Sequence, residues 1–336
     1  MRPAMSSIET FTPDHVTPAA ELLAARQTAL RATRPELPAA FEAPDAHRPA
    51  LEALLAEPGS HGVLAVSDGR PAAFMLGYHR TQEIWGRAAW SPIDGSASDP
   101  ALGAAGGELL RDCFAAWSAD FVRHGIFRQY SHAAVHTADE AAWFTTGFGR
   151  MQAHAVRDLA PPTGTDPEGL EIRTATPEDL DGIEPLMHLI QKQLVLSPAW
   201  AISLPEGMAT ARADWADELA NPEGELLLAL EGGRVLGIAG FYVATPGPMV
   251  PEGAWELGVG MTLPEARGRG IQRALLRRGV AAATAAGATH MITDWRTASL
   301  AAARSWTALG FRPTHHRLHR HVDERIAWAS STVAAF

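Results

Sequence analysis

One cysteine, Cys113, is all that the 336 residues contain, which excludes an intramolecular disulfide and any cysteine-based metal cage. Such a lone thiol reads as a small core residue and carries no chemistry. Nowhere do about 18 apolar residues run uninterrupted, the length a membrane-crossing helix needs, and the opening MRPAMSSIETF has no apolar stretch for a signal peptide. A cytoplasmic protein with no membrane partner is the expectation. Nucleotide fingerprints are missing too. Gly268-Arg-Gly270 has Arg273 where a dinucleotide motif needs its third glycine, and no Gly-Lys-Ser/Thr follows to make a phosphate loop. His315, His316, His319 and His321 have no carboxylate or cysteine at ligand spacing, so they read as polar alternation on an exposed strand and no metal is expected. His132 and His136 read as strand or loop surface.

What is present suffices for two domains. At 46% apolar composition the chain can bury two separate cores. Its net charge of −10 is spread evenly, with 13 basic and 18 acidic side chains up to residue 165 and 15 and 20 after it, and nothing overall invites nucleic acid. One stretch departs from this balance. Between Glu265 and Asp294 there is no acid, yet Arg267, Arg269, Arg273, Arg277 and Arg278 fall there, which suits an anion.

The chain also repeats itself. Ile8–Asp14 resembles Ile172–Glu178, AVSDGR from Ala65 resembles ALEGGR from Ala229, and Trp143–Phe148 resembles Trp306–Phe311, at offsets of 164, 164 and 163 residues. Common order and spacing imply one duplicated fold. The seam is expected in Pro161–Pro167, where prolines and glycine discourage regular structure, giving domains 1–160 and 168–336. In the second copy the pattern predicts a strand at 170–174, a helix opened by Thr176-Pro177, another helix at 206–219 and a hairpin of strands 225–230 and 234–243. A strand at 254–262, a helix at 270–286, a strand at 289–293, a helix at 299–309 and a strand from 311 follow. Each copy is therefore expected to be α/β (α+β), a mixed central sheet flanked by helices.

The chemistry sits in the strand Trp255-Glu-Leu-Gly-Val-Gly-Met-Thr262. Strict alternation turns Leu257, Val259 and Met261 to the core and Glu256, Gly258, Gly260 and Thr262 to the other face. Two glycines beside a carboxylate mark a bulge or a ligand groove. The next segment, Leu263-Pro-Glu-Ala-Arg-Gly-Arg-Gly-Ile-Gln272, has the glycines to aim successive amide N–H groups at an anion, at the positive end of the following helix.

PEARGRGIQRALL resembles the RxxGxG/A signature with which GCN5-related N-acetyltransferases (GNAT superfamily) hold the pyrophosphate of coenzyme A, here in a tandem arrangement. The resemblance implies that Arg267 opens the motif and that the amides of Gly268, Arg269, Gly270, Ile271, Gln272 and Arg273 hold the phosphates. Gly260, Met261 and Thr262 would run beside the pantetheine arm. Gln272 stands where the family has Gly or Ala. The adenine-side motif NxxAxxxYxxxGF is similar to Ser299–Phe311, with Ser299 replacing asparagine and Trp306 replacing the tyrosine that in many members protonates the departing thiolate. Tryptophan cannot transfer a proton near neutral pH, so water, oriented by Ser305 or Ser299, is left for that step. Glu256 is similar in spacing to the general-base glutamate of the histone-acetylating branch, and burial would raise its pKa toward the useful range. The strand amide at Gly260 or Met261 would polarise the acetyl carbonyl.

The resemblance thus implies an acetyl-CoA-dependent N-acetyltransferase acting on the primary amine of a small molecule by direct attack in a ternary complex, as a monomer or homodimer. A non-catalytic acyl-CoA-binding sensor or scaffold is the alternative. At the equivalent place the N-terminal copy reads Asp99–Leu110 with no arginine, and is expected to be degenerate and non-catalytic.

Overall fold

The computed structural model describes residues 6–221 and 224–333. Its strands are β1 (Ser6–Thr10), β2 (Ser60–Ser67), β3 (Arg70–Gln82), β4 (Gly86–Trp90), β5 (Ser96–Ser98), β6 (Arg128–Ala134), β7 (Gly149–Asp158), β8 (Glu171–Thr174), β9 (Gly224–Glu231), β10 (Arg234–Val243), β11 (Trp255–Thr262), β12 (His290–Arg296) and β13 (Arg312–His321). The helices are α1 (Val16–Arg31), α2 (Arg48–Ala56), α3 (Ala104–Arg123), α4 (Ala138–Thr145), α5 (Glu184–Met187), α6 (Leu189–Leu194), α7 (Pro205–Ala220), α8 (Ile271–Ala285), α9 (Leu300–Ala308) and α10 (Ile326–Val333).

Two compact units result, and their partition differs from the expected 1–160 and 168–336. Among the described residues one comprises 6–152 together with 314–333, the other Ala153–Pro313. The first orders its strands β1-β2-β3-β4-β6-β13, with β5 paired to β3, and the second β7-β12-β11-β10-β9-β8. Each sheet is thus completed by the strand that chain order would give to the other copy. Leu318 of β13 is buried in the core of the first unit, and Ala153 and Ala155 of β7 in that of the second.

The duplicated sequence anchors build duplicated local structure. Thr12-Pro13 and Thr176-Pro177 each open a short 3-10 turn closed by a reciprocal cap, through His15 in one copy and Asp179 in the other. Asp68-Gly69 and Gly232-Gly233 both turn their hairpins with two successive positive φ angles, the type I′ geometry that matches strand twist.

In the first unit α3 and α4 close on one another. A Cβ on Gly107 would stand 3.2 Å from the Ala138 carbonyl oxygen and 3.4 Å from the Ala142 methyl. Asp99 caps the amide of Ala101, and the half-buried Asp139 accepts from the Ser98 hydroxyl. Burial pushes the Asp139 carboxyl above its usual range. Cys113 is fully buried, its thiol pushed up to about 12. His315 and His316, expected on an exposed strand, are buried instead, on a strand paired antiparallel with β6, and His316 Nδ1 is 2.7 Å from Glu140.

Candidate active site in the second unit

In the second unit β11 pairs antiparallel with β10, but the register slips between Gly240, opposite Val259, and Phe241, opposite Leu257. Gly258 is the extra residue, a β-bulge. The bulge breaks the expected alternation. Phe241 and Gly237 face α8, the one against Gly279 and the other against Ile271. Their partners Leu257 and Thr262 lie on that side, and so does Gly260 opposite Ala239. Glu256 lies with Tyr242 on the other side, and the bulge brings Val259 and Met261 there as well. Glu256 and Gly260 therefore do not share a face, as strict alternation had predicted.

On its other edge β11 runs parallel to β12, yet only Trp255 and Glu256 are paired, with Met291 and Ile292. Beyond them the strands part, bridged at Leu257 O by the Thr293 hydroxyl at 2.8 Å. The β11 edge from Gly258 to Thr262 thus has no strand partner on that side among the described residues. This unpaired edge starts beside the Glu256 carboxylate.

The Glu256 face is acidic. The Tyr242 hydroxyl donates to Glu218 of α7, and the phenol lies across Gly224, Gly240 and Gly258, where a Cβ would stand 2.6, 2.4 and 2.9 Å from it. Burial, the bond to Glu218 and the Glu218 charge push Tyr242 above the usual phenol range. Glu256 is half-buried, and burial first, then the Asp294 carboxylate, raises its pKa. Replacing Asp294 by Asn removes a like charge, so the Glu256 pKa falls. With Glu256 active as the ionised base, the rising limb of the pH profile of kcat/KM should move to lower pH, and an unmoved limb would separate Glu256 from the rate.

The loop after β11 bends through Pro264–Ala266 and enters α8 at Gly270. Gly268 and Gly270 hold φ of +75° and +86°, values that side chains resist. The helical ladder opens with the Ala274 N–H on the Gly270 carbonyl. The amides of Ile271, Gln272 and Arg273 thus precede the ladder, at the positive helix end. A Cβ at Gly270 would come within 2.5 Å of the Arg273 guanidinium. A helix start of this kind suits an anion.

Residues 192–311 match the model of the acetyltransferase (GNAT) family. The fold is similar to that of a GCN5-related N-acetyltransferase from Sphaerobacter thermophilus, 20% identical, with a TM-score of 0.56 over 95% of this chain and 96% of that one. A GCN5-related glucosamine N-acetyltransferase region in a fungal multi-domain GH3 beta-N-acetylglucosaminidase is 13% identical, with a TM-score of 0.50 over 95% of this chain and 38% of that one. A tandem GNAT protein from the clavulanic acid biosynthesis pathway is 14% identical, with a TM-score of 0.49 over 95% and 99%. No curated relative matches the chain in sequence.

Within the matched segment the arginines are less available to an anion than the sequence suggests. Arg269 is paired with Glu231 and Arg277 with Asp166. Arg277 also donates to the carbonyls of Pro162 and Gly164, and Arg273 donates to Thr165 O at 2.6 Å. The exposed Arg267 makes one long contact, 3.4 Å from its Nε to Thr262 O.

The Gln272 side chain, where the family has a small residue, fills the space between helix and strands. Its Nε2 lies 2.6 Å from Met261 O, 3.1 Å from Thr262 Oγ1 and 3.2 Å from Ile238 O. Trp306 is buried against Gly260, where a Cβ would stand 2.6 Å from the indole Cη2. Ser299 is half-buried at the start of α9, and Ser305 is exposed. Tyr242, Glu218 and Asp294 were not singled out from sequence. The only signal for Tyr242 was its place opposite Glu256, which requires counting across a bulge.

Proposed function

We propose that the second unit is an acetyl-CoA-dependent N-acetyltransferase acting on the primary amine of a small molecule, by direct attack in a ternary complex. The parting of β11 from β12 just beyond Glu256, next to a glycine-turned helix start, carries this reading. The amides of Gly268–Arg273 and the Arg267 side chain would hold the diphosphate, Gly260, Met261 and Thr262 would line the pantetheine arm, and Ser299 and Trp306 would wall its other side. Acetyl-CoA, when bound, supplies the acetyl thioester. Glu256, with its raised pKa, takes a proton from the acceptor ammonium, and a β11 amide such as that of Gly260 polarises the carbonyl. The carboxylates of Glu218 and Glu256 beside Tyr242, with Asp294 beside Glu256, favour a cationic acceptor over a neutral or anionic one. Trp306 donates no proton to the leaving thiolate, which leaves that step to water.

The first unit is read as non-catalytic, because α3 is packed against α4 and Asp99 and Asp139 stand where a diphosphate would need positive charge. One coenzyme A per chain is therefore expected by calorimetry, and two equivalent sites would overturn that assignment. The enzyme reading is tested by following free thiol during incubation with acetyl-CoA and a panel of amines. A second reading, a non-catalytic acyl-CoA sensor, is favoured by the seat of Trp306 on Gly260. Tight coenzyme A binding with no turnover across a broad panel would select it.

A further inference from the structure

The two aromatic rings at the strand gap meet β11 from opposite faces. Trp306 presses on Gly260 from the α8 side, with Cη2 and Cζ2 at 2.6 and 3.0 Å from where a Cβ would be, and the Gln272 Oε1 at 3.0 Å closes the same spot. Tyr242 presses on Gly258 from the Glu256 side, its ring carbons at 2.9 and 3.1 Å from that glycine's absent Cβ. Neither ring is loose. Trp306 is buried and packs edge-on against Phe311, their centroids 6.0 Å apart, while the Tyr242 hydroxyl is tied to Glu218. Two neighbouring glycines of one strand are thus both covered by large fixed side chains.

From this the geometry points to a specificity role that rests on the reading above: Trp306 and Tyr242 set the length of acyl chain that the donor site admits, and confine it to acetyl. A donor in the gap runs along the β11 edge beside the indole that covers Gly260, and its acyl end reaches Gly258 next to the phenol. Close-packed side chains yield little to added methylenes, and forcing them in costs more than their burial returns. Were the space open, two further methylenes would tighten binding by about tenfold. The sign of the change therefore decides the matter.

The experiment is calorimetric binding of coenzyme A, acetyl-CoA and butyryl-CoA to the full chain and to its Trp306→Phe and Tyr242→Ala variants. Phenylalanine removes the indole atoms that touch Gly260, and alanine removes the phenol over Gly258. The wild-type chain should bind acetyl-CoA about as tightly as coenzyme A and butyryl-CoA about tenfold more weakly. At least one variant should bring butyryl-CoA to within about threefold of acetyl-CoA. Equal or tighter binding of butyryl-CoA by the wild-type chain would overturn the inference, whether or not either variant folds. So would full discrimination retained in both variants. Failure of the donor-site reading itself looks different, since coenzyme A would then not bind at all.

Discussion

Replacing Glu256 by Gln is expected to lower kcat by about 10²- to 10⁴-fold, the usual contribution of a positioned general base, while coenzyme A binds as before. Glutamine keeps the size and the hydrogen-bonding reach of the side chain but cannot take a proton. The affinity is expected to hold because Glu256 is on the opposite face of β11 from the helix start proposed to hold the diphosphate. Burial and Asp294 hold the wild-type carboxyl above its ordinary range. In acid Glu256 is protonated and idle, and activity should rise with pH as it ionises. The variant should lose that limb as well as the rate. Stopped assays of thiol release across pH, with calorimetry alongside, check both parts, and a variant with wild-type kcat would remove Glu256 from the chemistry.

Gly270→Val is expected to weaken coenzyme A binding by at least about tenfold. At φ +86° a residue with a Cβ pays about 1–2 kcal/mol, and a β-branched one lies at the upper end. The new Cβ would also displace the Arg273 guanidinium, 2.5 Å away. Relief of this strain would turn the amides of residues 271–273 away from their common focus. Unlike a charge reversal, this change removes no positive charge. It therefore separates a cradle made of backbone N–H groups from one made of side-chain charge, and Arg269, Arg273 and Arg277 are already engaged elsewhere. Calorimetric titration with coenzyme A measures it. An unchanged affinity would show that the bend at residues 268–270 does not hold the diphosphate.

Much of this arrangement was legible from local chemistry. The helix from Ile271 and the hairpin at Gly232-Gly233 follow from glycines that allow positive φ and from apolar periodicity, and both lie where the sequence placed them. The offsets between Ile8 and Ile172 and between Ala65 and Ala229 announced the duplication because the same turn chemistry was needed twice. The faces of β11 were not legible. Gly258 is an obvious weak point in a strand, but whether a glycine is a bulge or a plain pleat depends on the register with β10, and one inserted residue carries Val259, Gly260, Met261 and Thr262 to the opposite side.

By itself, then, the sequence determined the glycine-turned start of α8, the glycines beside Glu256 and the repeated turns, since each is a matter of backbone freedom or charge within a few residues. Only the tertiary structure decided which strand completes each sheet, that Gln272 fills the space beside α8, that Arg273 and Arg277 are held by the segment 162–166, and that Tyr242 and Trp306 cover two glycines of β11. These depend on pairings between residues far apart in the chain. No local pattern encodes such contacts, because their energy appears only when the distant partners have packed.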